Sequence, residues 1–369
     1  MKLLHVADLH LGKRVCEYSM LQEQRDILAA MVREAVREGV RAVLISGDIY
    51  DRPVPPAEAT ALFSDFLSDL HRHGILAAVI AGNHDSGERL SFAAPLLART
   101  GVHVAGECRG VPETLVLEEQ GLRVALHLLP HFRPSALGVH FEGRRFENSA
   151  EALEAIFLRI DFSVAECHIL LAHLFVAGST TSDSELPVIG TVDAVPAELL
   201  SRFDYVALGH LHRPQAFGNA VYAGSPLCYS FSEAGQQKSA VLLDVTREGV
   251  STRRLPLYPR RRMREIRGSM EELMAGEYSE DYIRAVVTDE DPSPDARITL
   301  RAIYPNLMRY AVENSRTTAE LDVSSTQSVE GRDPLDLFGE FFEAQNGTPP
   351  TEKHLDLMRE ILKEAEVTP

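Results

Sequence analysis

The sequence predicts an α/β fold, and two observations carry that reading. Short apolar runs at residues 3–7, 42–45, 77–80, 169–172 and 205–208 have the length and character of buried strands. Between the earlier runs, residues 21–38 and 57–73 bring apolar side chains back every three or four positions, the period of a helix with one buried face. Gly39 and Gly74 follow these segments as stop signals, because glycine accepts the left-handed backbone that ends a helix. Runs at 221–224 and 240–245 continue the sheet, so a first domain is expected over residues 1–255.

From 256 to 316 the pattern restarts in a smaller α/β unit, with a helix at 270–275, a strand at 282–288, a helix at 296–303 and a strand at 308–312. Residues 314–330 are polar and poor in large apolar side chains, and 317–330 is expected to be a linker. Beyond it, Asp333 caps a helix whose first position is Pro334. Leu335, Phe338 and Phe342 form an apolar stripe on that helix, widened by Phe341. After Gly347-Thr348-Pro349-Pro350, Thr351 caps a second helix with Leu355, Met358 and Leu362 at the same spacing. Two short helices cannot bury both stripes alone, so they fold back on the core or dock on a partner. Docking by residues 331–369 is the favoured reading, because a polar linker precedes an apolar face suited to helix-in-groove recognition.

A chain of 369 residues with 45% hydrophobic and 25% charged side chains belongs with soluble globular proteins carrying one large core and appendages. Met1-Lys2 runs straight into the first strand, so no signal peptide is expected, and a cytoplasmic location is. The scattered Cys16, Cys108, Cys167 and Cys228 fit reduced thiols. A net charge of −17 counts against a nucleic-acid partner until its distribution is considered. Residues 271–295 hold nine acids and one base, and residues 320–369 hold twelve acids and four bases, which places the acidic load outside the first domain. Residues 251–270 carry Arg253, Arg254, Arg260, Arg261, Arg262, Arg264 and Arg267 against Glu265 alone. Such a strip reads equally as a phosphate track and as a domain junction paired with the acids that follow.

Polar residues fall just past the strand-like runs: Asp8 and His10, Asp48 and Asp51, Asn83 and His84, His173, and His210 and His212. Strand ends that face one rim gather them into one site. Two divalent ions ~3.5–4 Å apart need a shared anionic ligand, neutral imidazoles, and open positions for water and a phosphate. Asp8, His10, Asp48, Asn83, His173, His210 and His212 supply that mixed oxygen and nitrogen set, the layout of a two-metal phosphoesterase. With no thiolate among them, manganese is expected, with magnesium or iron as alternatives, rather than a closed structural zinc site. His84 stands apart, since Asn83 beside it is the better ligand and adjacent side chains on a tight loop rarely reach one ion. Its expected role is to protonate the leaving alkoxide or steady the transition state, with the Asp51 side chain holding the imidazole protonated.

These motifs resemble the SbcD family, the nuclease subunits of bacterial SbcCD complexes, over nearly the whole chain. The likeness includes Gly82-Asn83-His84-Asp85-Ser86, His173-Leu174-Phe175, Ser182-Asp183-Ser184-Glu185 and the run from Gly224-Ser225-Pro226 to Ser232-Glu233. It implies a metallophosphoesterase sandwich of two packed mixed sheets flanked by helices, a small α/β capping domain that helps grip DNA, and a C-terminal helix-loop-helix. That last element would bind the base of the coiled coil of an SMC-type ATPase, SbcC. One manganese would be held by Asp8, His10, Asp48 and His212, the other by Asp48, Asn83, His173 and His210, so that Asp48 bridges. The implied activity is 3′-5′ exonuclease action on duplex ends and endonuclease action on single strands or hairpins, in DNA repair, recombination and replication. A homodimer within a heterotetramer, associated with the nucleoid, completes the picture. Archaeal relatives carry a histidine where this chain has Asp51.

Arg14, Arg52 and Arg89 flank the motifs and join Arg260, Arg261, Arg262 and Arg264 as candidate DNA contacts, with salt bridges the competing reading. A stand-alone phosphomonoesterase or cyclic-nucleotide phosphodiesterase would share the metal motifs but not the tail. A silent DNA-clamping scaffold would have no need of His84. The other histidines, among them His5, His127 and His168, lack the motif context and are expected to be structural, His131 included although it follows a strand.

Overall fold

The computed structural model describes residues 1–185, 194–315, 317, 333–346 and 348–364, and the chain divides into two units, Met1–Met263 and Arg264–Pro369. In the first unit the apolar runs become strands. β1 (Lys2–Val6), β2 (Ala42–Ser46), β3 (Leu76–Ile80) and β4 (Val102–Ala105) lie side by side and parallel. The hairpin of β5 (Glu113–Glu119) and β6 (Leu122–Leu129) begins a second sheet, in which β7 (Cys167–His173) and β8 (Tyr205–Gly209) run parallel to β6. β9 (Gln215–Phe217) and β10 (Ala220–Tyr222) extend that sheet, whereas β11 (Ser239–Thr246) and β12 (Gly249–Pro256) return to the first. The orders are β12-β11-β1-β2-β3-β4 and β9-β10-β8-β7-β6-β5, and both sheets are mixed because β11 opposes β1 and β5 opposes β6.

Strand alternation explains the layering. Leu3, Leu44, Ile80, Leu126, Ile169 and Leu171 share one core between the sheets. Their neighbours Leu170, Ala172, Val206 and Leu208 belong to another cluster, which helix α3 (Ser149–Phe157) completes with Leu153, Ile156 and Phe157. Each fully buried leucine or isoleucine contributes ~1.5–3 kcal/mol over an exposed one. Before it, α1 (Leu21–Glu38) buries Ile27, Leu28 and Met31, and α2 (Ala57–Arg72) buries Phe63, Phe66 and Leu70. The two helices pack on each other, and α2 packs on β3. Gly39 closes α1 at φ +68°, and Gly74 follows α2 at φ +70°, as the stop signals require.

In the second unit, β13 (Met263–Gly268), β14 (Tyr282–Val287) and β15 (Leu307–Val312) form a sheet in that order. With α4 (Met270–Met274) and α5 (Ala296–Leu300) they enclose Leu273, Ile283, Ala285, Val287, Leu300 and Leu307. β13 is an addition to the expected elements, because its arginines hide a strand that offers only Ile266 to this core. The expected linker starts later than its composition suggests. Asn314 is buried and its side-chain amide donates to Asp289 O and Glu290 O, while residues 316 and 318–330 lie outside the described residues. Both tail helices are present as α6 (Pro334–Asn346) and α7 (Glu352–Glu364), and Asp333 Oδ1 accepts from Leu335 N at 2.8 Å. Phe342 packs on Phe338 and on His354 of α7, leaving Phe341 57% exposed. Among the described residues no helix is long and apolar enough to cross a membrane, and the four cysteines are free thiols.

Candidate metal centre

Parallel register aligns the ends of the site-bearing strands. Val6 stands opposite Ile45, Ser46 opposite Ile80, and His173 opposite Gly209. The two rims meet at Ser46, whose carbonyl accepts from His173 Nδ1 at 2.9 Å and whose hydroxyl donates to Ala207 O at 2.8 Å. So close an approach admits only glycine. A Cβ on Gly209 would stand 1.9 Å from Ser46 O, and one on Gly47 would stand 2.3 Å from His173 Nδ1.

The seven expected ligands come together across this seam. Asn83 Oδ1 lies 2.9 Å from His173 Nε2 and 3.0 Å from His210 Nδ1, and Asp48 Oδ2 lies 3.4 Å from His173 Nε2. On the other side, His10 Nε2 is 3.0 Å from His212 Nε2 and 3.7 Å from the same Asp48 oxygen. Asp8 Oδ1 accepts from His210 N at 2.9 Å, while Asp8 Oδ2 and His10 Nδ1 are buried without hydrogen-bond partners. Asp48 is common to both ion-sized clusters of donor atoms, one with His10 and His84, the other with Asp8 and His173.

Such atoms fit divalent ions. On an octahedral ion with ~2.1 Å bonds, adjacent ligand atoms lie ~3 Å apart, and acceptor lone pairs brought that close repel unless a cation lies among them. Carboxylate, amide and imidazole donors without thiolate suit manganese-, iron- or magnesium-type ions.

The backbone is distorted to make this possible. Asp8, His10, Asp48 and His210 take positive φ of 53°, 43°, 49° and 107°, a conformation that costs a non-glycine residue ~1–3 kcal/mol. Main-chain bonds between the two loops hold it, from Asp8 N to Gly47 O and from His10 N to Asp48 O.

Charge follows burial. Burial lifts Asp8 to about 7. For His173 burial pulls downward, but Asp48 and Asp8 prevail and raise it to about 9. Burial opposes ionisation of Asp48, yet His173 and His10 hold its carboxyl well below the usual range. Burial lowers His10 and His210, the latter to about 3, so both offer neutral nitrogens.

One expectation is corrected. The Asp51 side chain does not hold His84; its main-chain carbonyl does, 3.0 Å from His84 Nδ1. The Asp51 carboxylate turns instead to Lys13 Nζ at 2.7 Å. The turn that binds Asp51 N to Leu11 O fixes this division between main chain and side chain.

Asp85 has a role that its place between His84 and Ser86 does not announce. Its carboxylate accepts from Ile49 N, Tyr50 N and Gly82 N at 2.9–3.0 Å and so splices the Asp48 loop to the Asn83 loop. Burial raises it to about 6. Asp85→Ala strands three main-chain donors, at ~1–3 kcal/mol each if they stay unpaired. A lowered melting temperature and weakened metal binding are expected together; wild-type values of both in thermal melts and metal analysis would contradict the splice.

Two of the candidate DNA contacts take the competing reading, that of salt bridges. Arg261 pairs at 2.7 Å with buried Glu23, and Arg264 pairs at 2.7 Å with Asp281 and bonds Ser279, which gives each a structural task within its own unit. Arg14 donates to Glu17 O, Arg52 lies 3.8 Å from Asp51, and Arg89, Arg260 and Arg262 are exposed. His5 bonds Tyr205 and Leu208, and His127 stacks on His168. His131 is edge-on to His173 at 6.2 Å, beside the candidate ligands.

Comparison with known proteins shows the family. Residues 1–214 match the family described as calcineurin-like phosphoesterase, and residues 259–346 match SbcD_C, described as the type 5 capsule protein repressor C-terminal domain. The SbcD protein of the SbcCD nuclease from Staphylococcus epidermidis is 31% identical over 319 residues, covering 84% of either chain. The chain belongs to the SbcD family. The corresponding SbcD protein of Bacillus subtilis is 37% identical over 266 residues, 66% of each chain. A dimetal phosphatase from Danio rerio has a TM-score of 0.42 and 12% identity, covering 70% of this chain and 99% of its own. As an SbcD member the chain is a metal-dependent hydrolase of phosphodiesters, a nuclease that uses divalent ions.

Proposed function

We propose that this chain is the catalytic component of an SbcCD-type complex, cleaving DNA with two manganese ions and gated by an SbcC-like ATPase. The observation that carries the reading is the position of Asp48 Oδ2, within 3.7 Å of imidazoles belonging to both halves of the site. Asp8, His10, Asp48 and His212 are assigned to one ion, and Asp48, Asn83, His173 and His210 to the other. When bound, the ions neutralise the phosphate and activate water for in-line attack.

The chain's own residues do the rest. Ser46 O holds one proton on His173 Nδ1, so Nε2 is the nitrogen that would face an ion, after giving up the proton that Asp48 and Asp8 favour in the empty site. Asp51 O likewise holds a proton on His84 Nδ1, so in the imidazolium form Nε2 carries the proton that passes to the leaving oxygen, and the neutral ring remains bonded to Asp51 O. The capping unit at 256–316 and the exposed Arg14, Arg52, Arg89, Arg260 and Arg262 are assigned to the DNA backbone.

Blunt duplex and hairpin DNA, end-labelled and incubated with manganese or magnesium, test the reading. Stepwise 3′-5′ shortening and hairpin opening are expected, stimulated by a coexpressed ATPase. Turnover of a small phosphomonoester with no DNA cleavage would favour the stand-alone phosphoesterase instead.

The tail supports the partner assignment, since α6 and α7 leave Phe341, Leu357 and Ile361 about half exposed or more. Phe338 packs on Phe342 and Leu362 is buried, so the exposed pair is the one to change: Phe341→Glu with Ile361→Glu should abolish copurification with the ATPase while sparing metal content, because charge cannot enter an apolar groove without a desolvation cost. Wild-type stoichiometry on gel filtration would contradict docking.

A homodimer is proposed through a groove of about 740 Å³ near the site, bordered by Val54, Phe63 and Phe92. Val54 is 66% and Phe92 81% exposed, and Leu96 nearby 67%. Phe92→Glu should shift the free chain to a monomer in sedimentation; an unchanged dimer would place the interface elsewhere.

A further inference from the structure

Behind His212 lies a buried polar chain that none of the assigned roles uses. Glu233 is fully buried and Lys238 almost so, and they pair at 2.6 Å between Nζ and Oε2. Lys238 Nζ also donates to His212 O at 2.9 Å, Ser225 Oγ at 3.1 Å and Gln236 Oε1 at 3.3 Å. The other Glu233 oxygen accepts from Ser184 Oγ, from Tyr229 N and from Ser230 Oγ. Ser184 Oγ in turn lies 2.7 Å from His212 Nδ1, which is also 3.4 Å from the same Glu233 oxygen.

The direction of each proton follows from the groups available. An ionised carboxylate only accepts, so the single hydroxyl proton of Ser184 goes to Glu233. Ser184 Oγ must then accept from His212, which places the imidazole proton on Nδ1 and leaves the Nε2 lone pair facing His10 Nε2, 3.0 Å away. Ser182 Oγ, 3.2 Å from Ser184 Oγ, is left to donate to it. His212 is also held through its main chain, with N donating to Glu185 Oε1 at 2.5 Å and O accepting from Lys238. His10, its neighbour in the same proposed ion position, has no hydrogen-bond partner for Nδ1.

We propose that Ser184, Glu233 and Lys238 are positioning residues that fix the tautomer and orientation of His212 and so preorganise one of the two ion positions. This rests on the two-ion reading above. A buried ion pair contributes little net stability over an apolar pair of the same volume, whereas a hydrogen-bond partner behind a metal-binding imidazole typically changes metal affinity ~10–100-fold. Lys238 neutralises Glu233, so the carboxylate can accept the Ser184 proton in an interior that would otherwise disfavour its charge.

Two measurements on the full chain test the relay. In the metal-free protein carrying ¹⁵N-histidine, His212 should appear as the pure Nδ1-protonated tautomer, and Ser184→Ala should convert it to a mixture. In manganese titrations, Ser184→Ala should weaken one of two binding steps ~10–100-fold and leave the other unchanged. Glu233→Gln combined with Lys238→Met, which avoids a lone buried charge, should do the same with the fold intact by circular dichroism. An Nε2-protonated His212 in the wild type, or equal weakening of both steps, or of neither, would overturn the proposal. Fewer than two ions bound by the wild type would overturn the two-ion reading, while the tautomer measurement, made without metal, still decides the relay.

Discussion

Asp48→Asn is expected to fold as the wild type does and yet lose both divalent ions, and with them nuclease activity down to background. The choice of asparagine matters. Asp48 sits at φ +49°, a conformation that asparagine tolerates better than other non-glycine residues, so the substitution removes charge without adding backbone strain. Its amide can still accept from His84 N, the contact that Asp48 Oδ1 makes at 2.9 Å. What it cannot supply is an anionic oxygen between the His10 and His173 imidazoles, and two dications held together need that shared negative charge. Metal analysis of the dialysed protein decides the matter. Two ions per chain in Asp48→Asn would sink the bridging assignment; a melting temperature far below wild type would show that the loss arose from misfolding.

His84→Gln should keep both ions and lower the turnover rate roughly 10²–10⁴-fold, the usual contribution of a positioned general acid. Its ring bonds Asp51 O and lies edge-on to His10 with centroids 4.8 Å apart, so it borders the proposed ligands. Asp51→Ala supplies the contrast. Because the partner of His84 is a main-chain carbonyl, removing the Asp51 carboxylate should leave most of the turnover in place while freeing Lys13. A loss as large as that of His84→Gln would restore the carboxylate dyad. An unchanged rate in His84→Gln with full metal occupancy would instead exclude an acid role for His84.

The positions of the donors were legible because strand ends write themselves into sequence: apolar runs stop, and Asp, Asn and His follow. The two-sheet layout came from the resemblance, since periodicity cannot say which sheet a strand joins. What escaped had no side-chain signature. Every residue carries a carbonyl, so nothing in the sequence distinguished Asp51 O from Asp51 Oδ1 as the partner of His84. Asp85 stood in plain view but reads as one more loop acid until three N–H groups are seen to converge on it. The positive φ of Asp8, His10 and His210 is equally silent, because only glycine and asparagine advertise that conformation. The arginine strip read two ways because its partners are remote: Glu23, which pairs with Arg261, lies 238 positions away.

The seam at Ser46 and His173 has one more consequence. His10 and His212, whose Nε2 atoms lie 3.0 Å apart, are separated by 202 positions, and they come from different sheets. On the proposed assignment, an ion bound between them would staple the sandwich shut across a long closed loop, the constraint that a cystine provides elsewhere. The four cysteines form no such bridge, so in this chain the proposed cofactor would double as the cross-link.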